Sequence, residues 1–125
     1  MDTNALLFFQ ARPDAAAIYE ALENRILREM SNVEVRVQKT QISFYNRHLF
    51  ACVSFARLRP KKDCPPVYIV VSFGLGHRLL SPRIEAAVEP YPGRWTHHVL
   101  LSGPEQADDE LMSWLQEAAR FSDVK

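Results

Sequence analysis

The chain has 125 residues, 47% of them apolar and 24% charged, with fifteen basic residues against fifteen acidic ones. That length supplies one sizeable core and no room for a second, and zero net charge excludes any reading that rests on bulk attraction to a polyanion or a membrane surface. The charge is unevenly spread: between Val33 and His98 stand ten basic residues and four acidic ones, and the flanks carry the compensating acid.

From Thr3 to Gln10 the run is too short for periodicity to separate a short helix from an extended arm, and a short helix is expected. Its apolar centre, Ala5 to Phe9, follows Asp2 instead of a basic cluster, which does not make a signal peptide, and no stretch approaches the apolar length of a transmembrane helix. Cys52 and Cys64 have no paired spacing and are read as free thiols. Together these predict a soluble, cytoplasmic protein with no membrane partner.

Pro13 suits a first helical position, with Asp14 in the first turn. Ala15, Ile18, Tyr19, Leu22, Ile26 and Met30 then recur at helical spacing, while Glu20, Glu23, Asn24 and Arg28 fill the polar face, and Ser31-Asn32 ends the helix. Val33, Val35 and Val37 alternate with polar residues as a half-buried strand. The apolar parity then shifts to Ile42 and Phe44, which a bulge or tight turn near Lys39-Thr40 explains. Asn46-Arg47-His48 turns the chain into the apolar run from Leu49 to Ala56. Beyond the turn Pro60 to Pro66, Val67 to Phe73 is a strand apolar on both faces; Arg83 to Val88 alternates again, and Pro90 to Gly93 leads into Trp95 to Leu101.

Ser102-Gly103-Pro104-Glu105 has the form of a capping box, followed by Asp108, Asp109 and Glu110 where a helix dipole favours negative charge. Ala107, Leu111, Trp114, Leu115 and Ala118 form its apolar stripe. The fold class is therefore α+β in two layers: an antiparallel meander of about five strands with N-terminal and C-terminal helices packed on one face. Strand parity places Ile42, Phe44, Ala51, Val53, Ile69, Val71, Phe73, Val99 and Leu101 toward the helices. It turns Gln41, Ser43, Tyr45, Phe50, Cys52, Ser72, Thr96 and His98 toward the second face.

Chemical motifs are sparse. Gly74-Leu75-Gly76 is half of a dinucleotide fingerprint without its third glycine or following helix, and it reads as a strand-ending turn. His97 and His98 point to opposite faces of a strand and so do not ligate one metal together; His97 shares the buried parity and His98 the second face. No cofactor or metal is expected.

Lys39-Thr40-Gln41-Ile42-Ser43-Phe44, Phe50-Ala51, Pro82-Arg83-Ile84, Arg94-Trp95-Thr96-His97-His98-Val99 and the acid-opened helix ending Glu117-Ala118-Ala119 resemble DUF5655, a bacterial domain family of unknown function. The likeness spans about Phe8 to Ser122, as a standalone single-domain member. A more distant fold-level similarity is to small domains of the YdhG or YjbR kind. Neither implies a reaction.

Three functions follow as expectations. The first is a binding module, not an enzyme, in which Lys39, Gln41, Tyr45, Tyr68, Arg83, Arg94 and His98 on the second sheet face receive an anionic small molecule or nucleic acid, arginine beside aromatic rings suiting phosphate contact with base stacking. The alternative is a homodimeric interaction protein using the same face through Phe50, Val70 and Leu100. The third is a hydrolytic enzyme using His98 with a nearby acid or Lys39.

Overall fold

Local caps decide where the helices begin. The computed structural model describes residues 1–124. Helix α1 (Thr3–Phe8) starts where the Asp2 carboxylate accepts from the Ala5 N–H at 2.9 Å. Pro13 opens a single 3-10 turn, Pro13–Ala15, that feeds α2 (Ala16–Glu29). Beyond α2, Asn32 takes φ 58°, the left-handed conformation that asparagine tolerates better than most residues. Helix α3 (Asp109–Asp123) is capped by Asp108, whose carboxylate accepts from the Leu111 N–H at 3.0 Å. The expected box at Ser102 is not used. The Ser102 N–H donates instead to Oε1 of Gln106 at 2.6 Å, because Pro104–Gln106 forms its own 3-10 turn and the α-helix waits for Asp108.

The strands are β1 (Glu34–Val37), β2 (Gln41–Tyr45), β3 (Leu49–Ser54), β4 (Ile69–Leu75), β5 (Ile84–Tyr91) and β6 (Arg94–Leu101), all paired antiparallel in the order β1-β2-β3-β4-β6-β5. There are six strands where about five were expected. The phase change near Lys39-Thr40 is a hairpin turn, closed by the Gln38 N–H to the Gln41 carbonyl at 2.8 Å, and it separates two strands that a bulge would have left as one. Val37 faces Ile42 in that register, so odd valines and even residues of β2 reach the same layer.

The meander holds only through β4. The Gly76 to Arg83 connection runs back on the helix side: the Leu79 N–H donates to His97 Nε2 at 2.9 Å, and His77 Nε2 lies 2.6 Å from a Glu117 carboxylate oxygen of α3. Strand β5 therefore lands beyond β6 and pairs with it alone.

A second irregularity moves one side chain across the sheet. Phe44 pairs with Ala51 and Tyr45 with Leu49, which leaves Phe50 as the extra residue of a bulge. Its side chain joins the buried core at 2% exposure, so Phe50 is not an exposed residue of the second face where parity had placed it, although it borders a depression there. The same core takes Tyr19, Leu22 and Ile26 from α2, Leu111, Met112 and Leu115 from α3, and Ile42, Phe44, Val53, Val71, Phe73 and Leu101 from the sheet. Glu23, expected on the polar side of α2, is also buried, accepting from the Tyr19 hydroxyl at 2.5 Å.

Candidate ligand-binding site

The side of the sheet away from the helices is ruled by strand register. Ser43, Cys52, Ser72 and His98 stand directly opposite one another across β2, β3, β4 and β6, and Gly74 faces Thr96 one row further along. Val70 lies on this face but is fully buried outside the main core. The long connection from Phe55 to Tyr68 is tied to β5 by an ion pair between Arg59 and Glu85. Two of the three apolar residues that motivated dimerisation, Phe50 and Val70, are thus already buried within the protomer.

At the end of the sheet where β2 begins and β3 ends lies a groove of about 530 Å³, walled by Phe8, Arg12, Lys39, Thr40, Gln41, Ser54 and Phe55 with Ala11 and Ala56. Arg12 also borders two adjoining grooves, of about 250 Å³ beside Asp14, Pro66 and Tyr68, and of about 440 Å³ beside Arg57, Lys61 and Cys64. Its guanidinium carbon sits 4.6 Å from the Phe55 ring centroid and 5.6 Å from that of Tyr68, a cation–π arrangement that holds a flat, charged group at the junction of the three. Among the described residues, Arg12, Lys39, Arg57, Lys61 and Lys62 make no ion pair. Asp14 and Asp63 are the acidic residues closest in sequence to this cluster, so its local charge is positive although the chain's is zero.

Gln41 connects this groove to a second, shallower depression of about 150 Å³ on the open face, lined by Phe50, Cys52, Ser72, Gly74, Arg94 and Thr96 among others. Its Nε2 donates to Ser43 Oγ at 2.8 Å, and the Ser43 hydroxyl donates to Gln38 Oε1 at 2.7 Å, so the buried serine is satisfied by two glutamines at the rim. Arg94 lies flat over Gly74: a side chain there would meet its guanidinium at 2.7 to 2.8 Å, so glycine is what lets the cation approach the sheet. His98 Nδ1 is 2.7 Å from Ser72 Oγ. Burial lowers the pKa of both His97 and His98 and raises that of the Cys52 thiol. The two cysteines are free thiols.

The seven residues picked from sequence therefore divide. Lys39, Gln41 and Tyr68 belong to the groove and its neighbours, and Gln41, Arg94 and His98 to the open face. Tyr45 is at the β1–β2 edge under the Arg36 guanidinium, 4.1 Å from its ring centroid. Arg83 is elsewhere, on the helix side. It donates to both Asp108 carboxylate oxygens at 2.8 and 3.0 Å, to Glu110 at 3.0 Å and to the Gln106 carbonyl at 2.9 Å, beside the Trp114 ring. Basic charge in a turn does not reveal that its partners wait at a helix start 25 residues on. Arg83→Ala should cost about 1 to 2 kcal/mol by urea denaturation, several charged hydrogen bonds discounted for partial exposure, with ligand affinity unchanged; a loss of affinity at full stability would return Arg83 to the site.

Sequence reasoning missed Arg12, Phe8 and Phe55 as site residues, and it placed Ser72 on the second face without giving it a role. Arg12 was hidden beside a helix-starting proline, and the only local signal for its neighbourhood was Lys61-Lys62 standing between prolines.

Helices on one face of an open antiparallel sheet, a basic and aromatic groove at the strand ends, and no group of three or more metal-ligating side chains among the described residues define a small two-layer α+β protein. No helix among those residues is long and apolar enough to cross a membrane. The family model for DUF5655, a domain of unknown function, matches residues 7–122, and the chain belongs to that family. No curated protein and no solved structure matches it, and the likeness to YdhG and YjbR is not confirmed.

Proposed function

We propose that this protein is a binding module whose ligand is a flexible anion carrying stackable rings, with single-stranded nucleic acid as the fitting class. The observation that supports this most is the Arg12 guanidinium resting on Phe55 and Tyr68 at the junction of three grooves, with Lys39, Arg57 and Lys61 along their walls and in no ion pair among the described residues. A guanidinium plane offers its outer face to a base and its edge to phosphate oxygens, and the flanking lysines suit phosphates further along a strand. Gln41, at the rim, offers a neutral amide for a base edge. The two free thiols support a reducing, cytoplasmic setting.

Fluorescence anisotropy with a labelled single-stranded oligonucleotide of about 12 residues tests the reading. If four phosphates are neutralised, affinity should fall about 50-fold between about 50 and 200 mM salt. Arg12→Glu should weaken binding at least about tenfold, equivalent to about 1.4 kcal/mol. An absence of binding at low salt, a flat salt response, or an Arg12→Glu variant that binds like the parent would refute the proposal. A mononucleotide binding as tightly as the oligonucleotide would restrict the ligand to a small anion.

A further inference from the structure

The open-face depression holds an arrangement that binding in the Arg12 groove does not use. Ser72 lines it, while His98, its cross-strand partner on β6, approaches the serine from the side with Nδ1 at 2.7 Å from Oγ. Arg94 forms another part of the wall, laid over Gly74 and without an ion pair among the described residues. The depression is small, about 150 Å³, and of a size to seat a short acyl group.

We propose that Ser72 and His98 form a nucleophile and general base that cleave short-chain carboxylic esters, with Arg94 opposing the negative charge that develops on the carbonyl oxygen. The Ser72 proton passes to His98 Nδ1 as Oγ bonds to the acyl carbon, and the departing alkoxide takes that proton from the imidazolium as the ester C–O bond breaks. Water then attacks the acyl-serine with the same histidine as base, releasing the carboxylate and restoring the hydroxyl. A histidine must be neutral to accept the proton, and the desolvation that lowers the His98 pKa favours that form. Cys52, the serine's partner on β3, is the competing nucleophile, but burial raises its pKa and keeps it a thiol.

The site is independent of the nucleic-acid reading, and its test is chemical. Folded protein is treated with a fluorophosphonate probe, weighed intact and mapped by peptide mass spectrometry; here Oγ bonds to phosphorus and fluoride leaves. One adduct is expected, on Ser72, absent in Ser72→Ala and unchanged in Cys52→Ala. His98→Asn, which keeps an acceptor near the Nδ1 position without basicity, should label roughly a hundredfold more slowly, the lower end of what a general base contributes. Mapping the adduct on the unmodified protein keeps the test decisive even if a variant fails to fold. No adduct, an adduct on Cys52 or elsewhere, or labelling of Ser72 at the parent rate in His98→Asn would overturn the proposal.

Discussion

Ile42→Ala should cost about 2 to 5 kcal/mol, whereas Gln41→Ala, one residue away, should cost no more than about 1 kcal/mol. Ile42 is fully buried, paired with Val37 on one side and Val53 on the other, so truncation leaves a cavity where neither partner strand is free to collapse. Gln41 points to the opposite face, and its removal leaves the buried Ser43 hydroxyl still bonded to Gln38. Urea midpoints decide the matter. If the two variants fall together, the two-glutamine clasp on Ser43 is a structural support of the hairpin and Gln41 is no longer a candidate for ligand contact.

Acidification should weaken the fold through two histidines. His97 and His98 have folded pKa values below the ordinary 6.5, chiefly through desolvation. As pH falls through 6.5 the unfolded chain gains protons that the folded chain refuses, so stability is complete above that value and declines toward the lowered pKa values, by at most about 1.4 kcal/mol per pH unit for each histidine. His97 accepts from the Leu79 amide through Nε2 and stacks on Phe73 at 5.3 Å, so its neutral ring carries its proton on Nδ1 and a second proton would have to go onto Nε2, against the Leu79 N–H. The carboxylates whose pKa values are lowered, Glu29, Glu34 and Asp108, lose their contribution only at more acidic pH, below their ordinary values of 4.5, 4.5 and 3.8. Urea midpoints taken from about pH 7 to about pH 5 should therefore fall, less steeply in His98→Asn than in the parent. A flat profile over that interval would show that both rings take up protons as readily folded as unfolded.

The layers and most of the core were legible because strand alternation and helical spacing are local properties. Val35, Ile42, Val71 and Leu101 announce their face within a few residues, as do Ile18 and Leu22 on α2. Phe50 did not, since the extra residue between Leu49 and Ala51 breaks the alternation at that one side chain and nothing in the composition marks the bulge. The site was legible only in part for a related reason. Lys39 and Gln41 stood out at a phase change, but the groove they border is completed by Phe8 and Arg12, which come from the junction between α1 and α2, about 30 residues away in the chain. Arg83 and Arg12 look alike in sequence, and what separates a clamp from a candidate ligand contact is whether a carboxylate waits in space. Asp108 waits for one; two aromatic rings wait for the other.

The order in which the strands sit also sets the order in which they can form. Strand β5 has β6 as its sole neighbour, and β6 follows it in the chain, so a lengthening polypeptide presents a finished β5 before anything exists for it to bond with. The meander from β1 to β4 can close early through local hairpins. The Gly76 to Arg83 crossover has no fixed path until His97 arrives to accept from Leu79. Insertion of β6 between two waiting edges then completes both ladders at once, pairing residues as far apart as Ile69 and Leu101, and it is the step most exposed to misassembly.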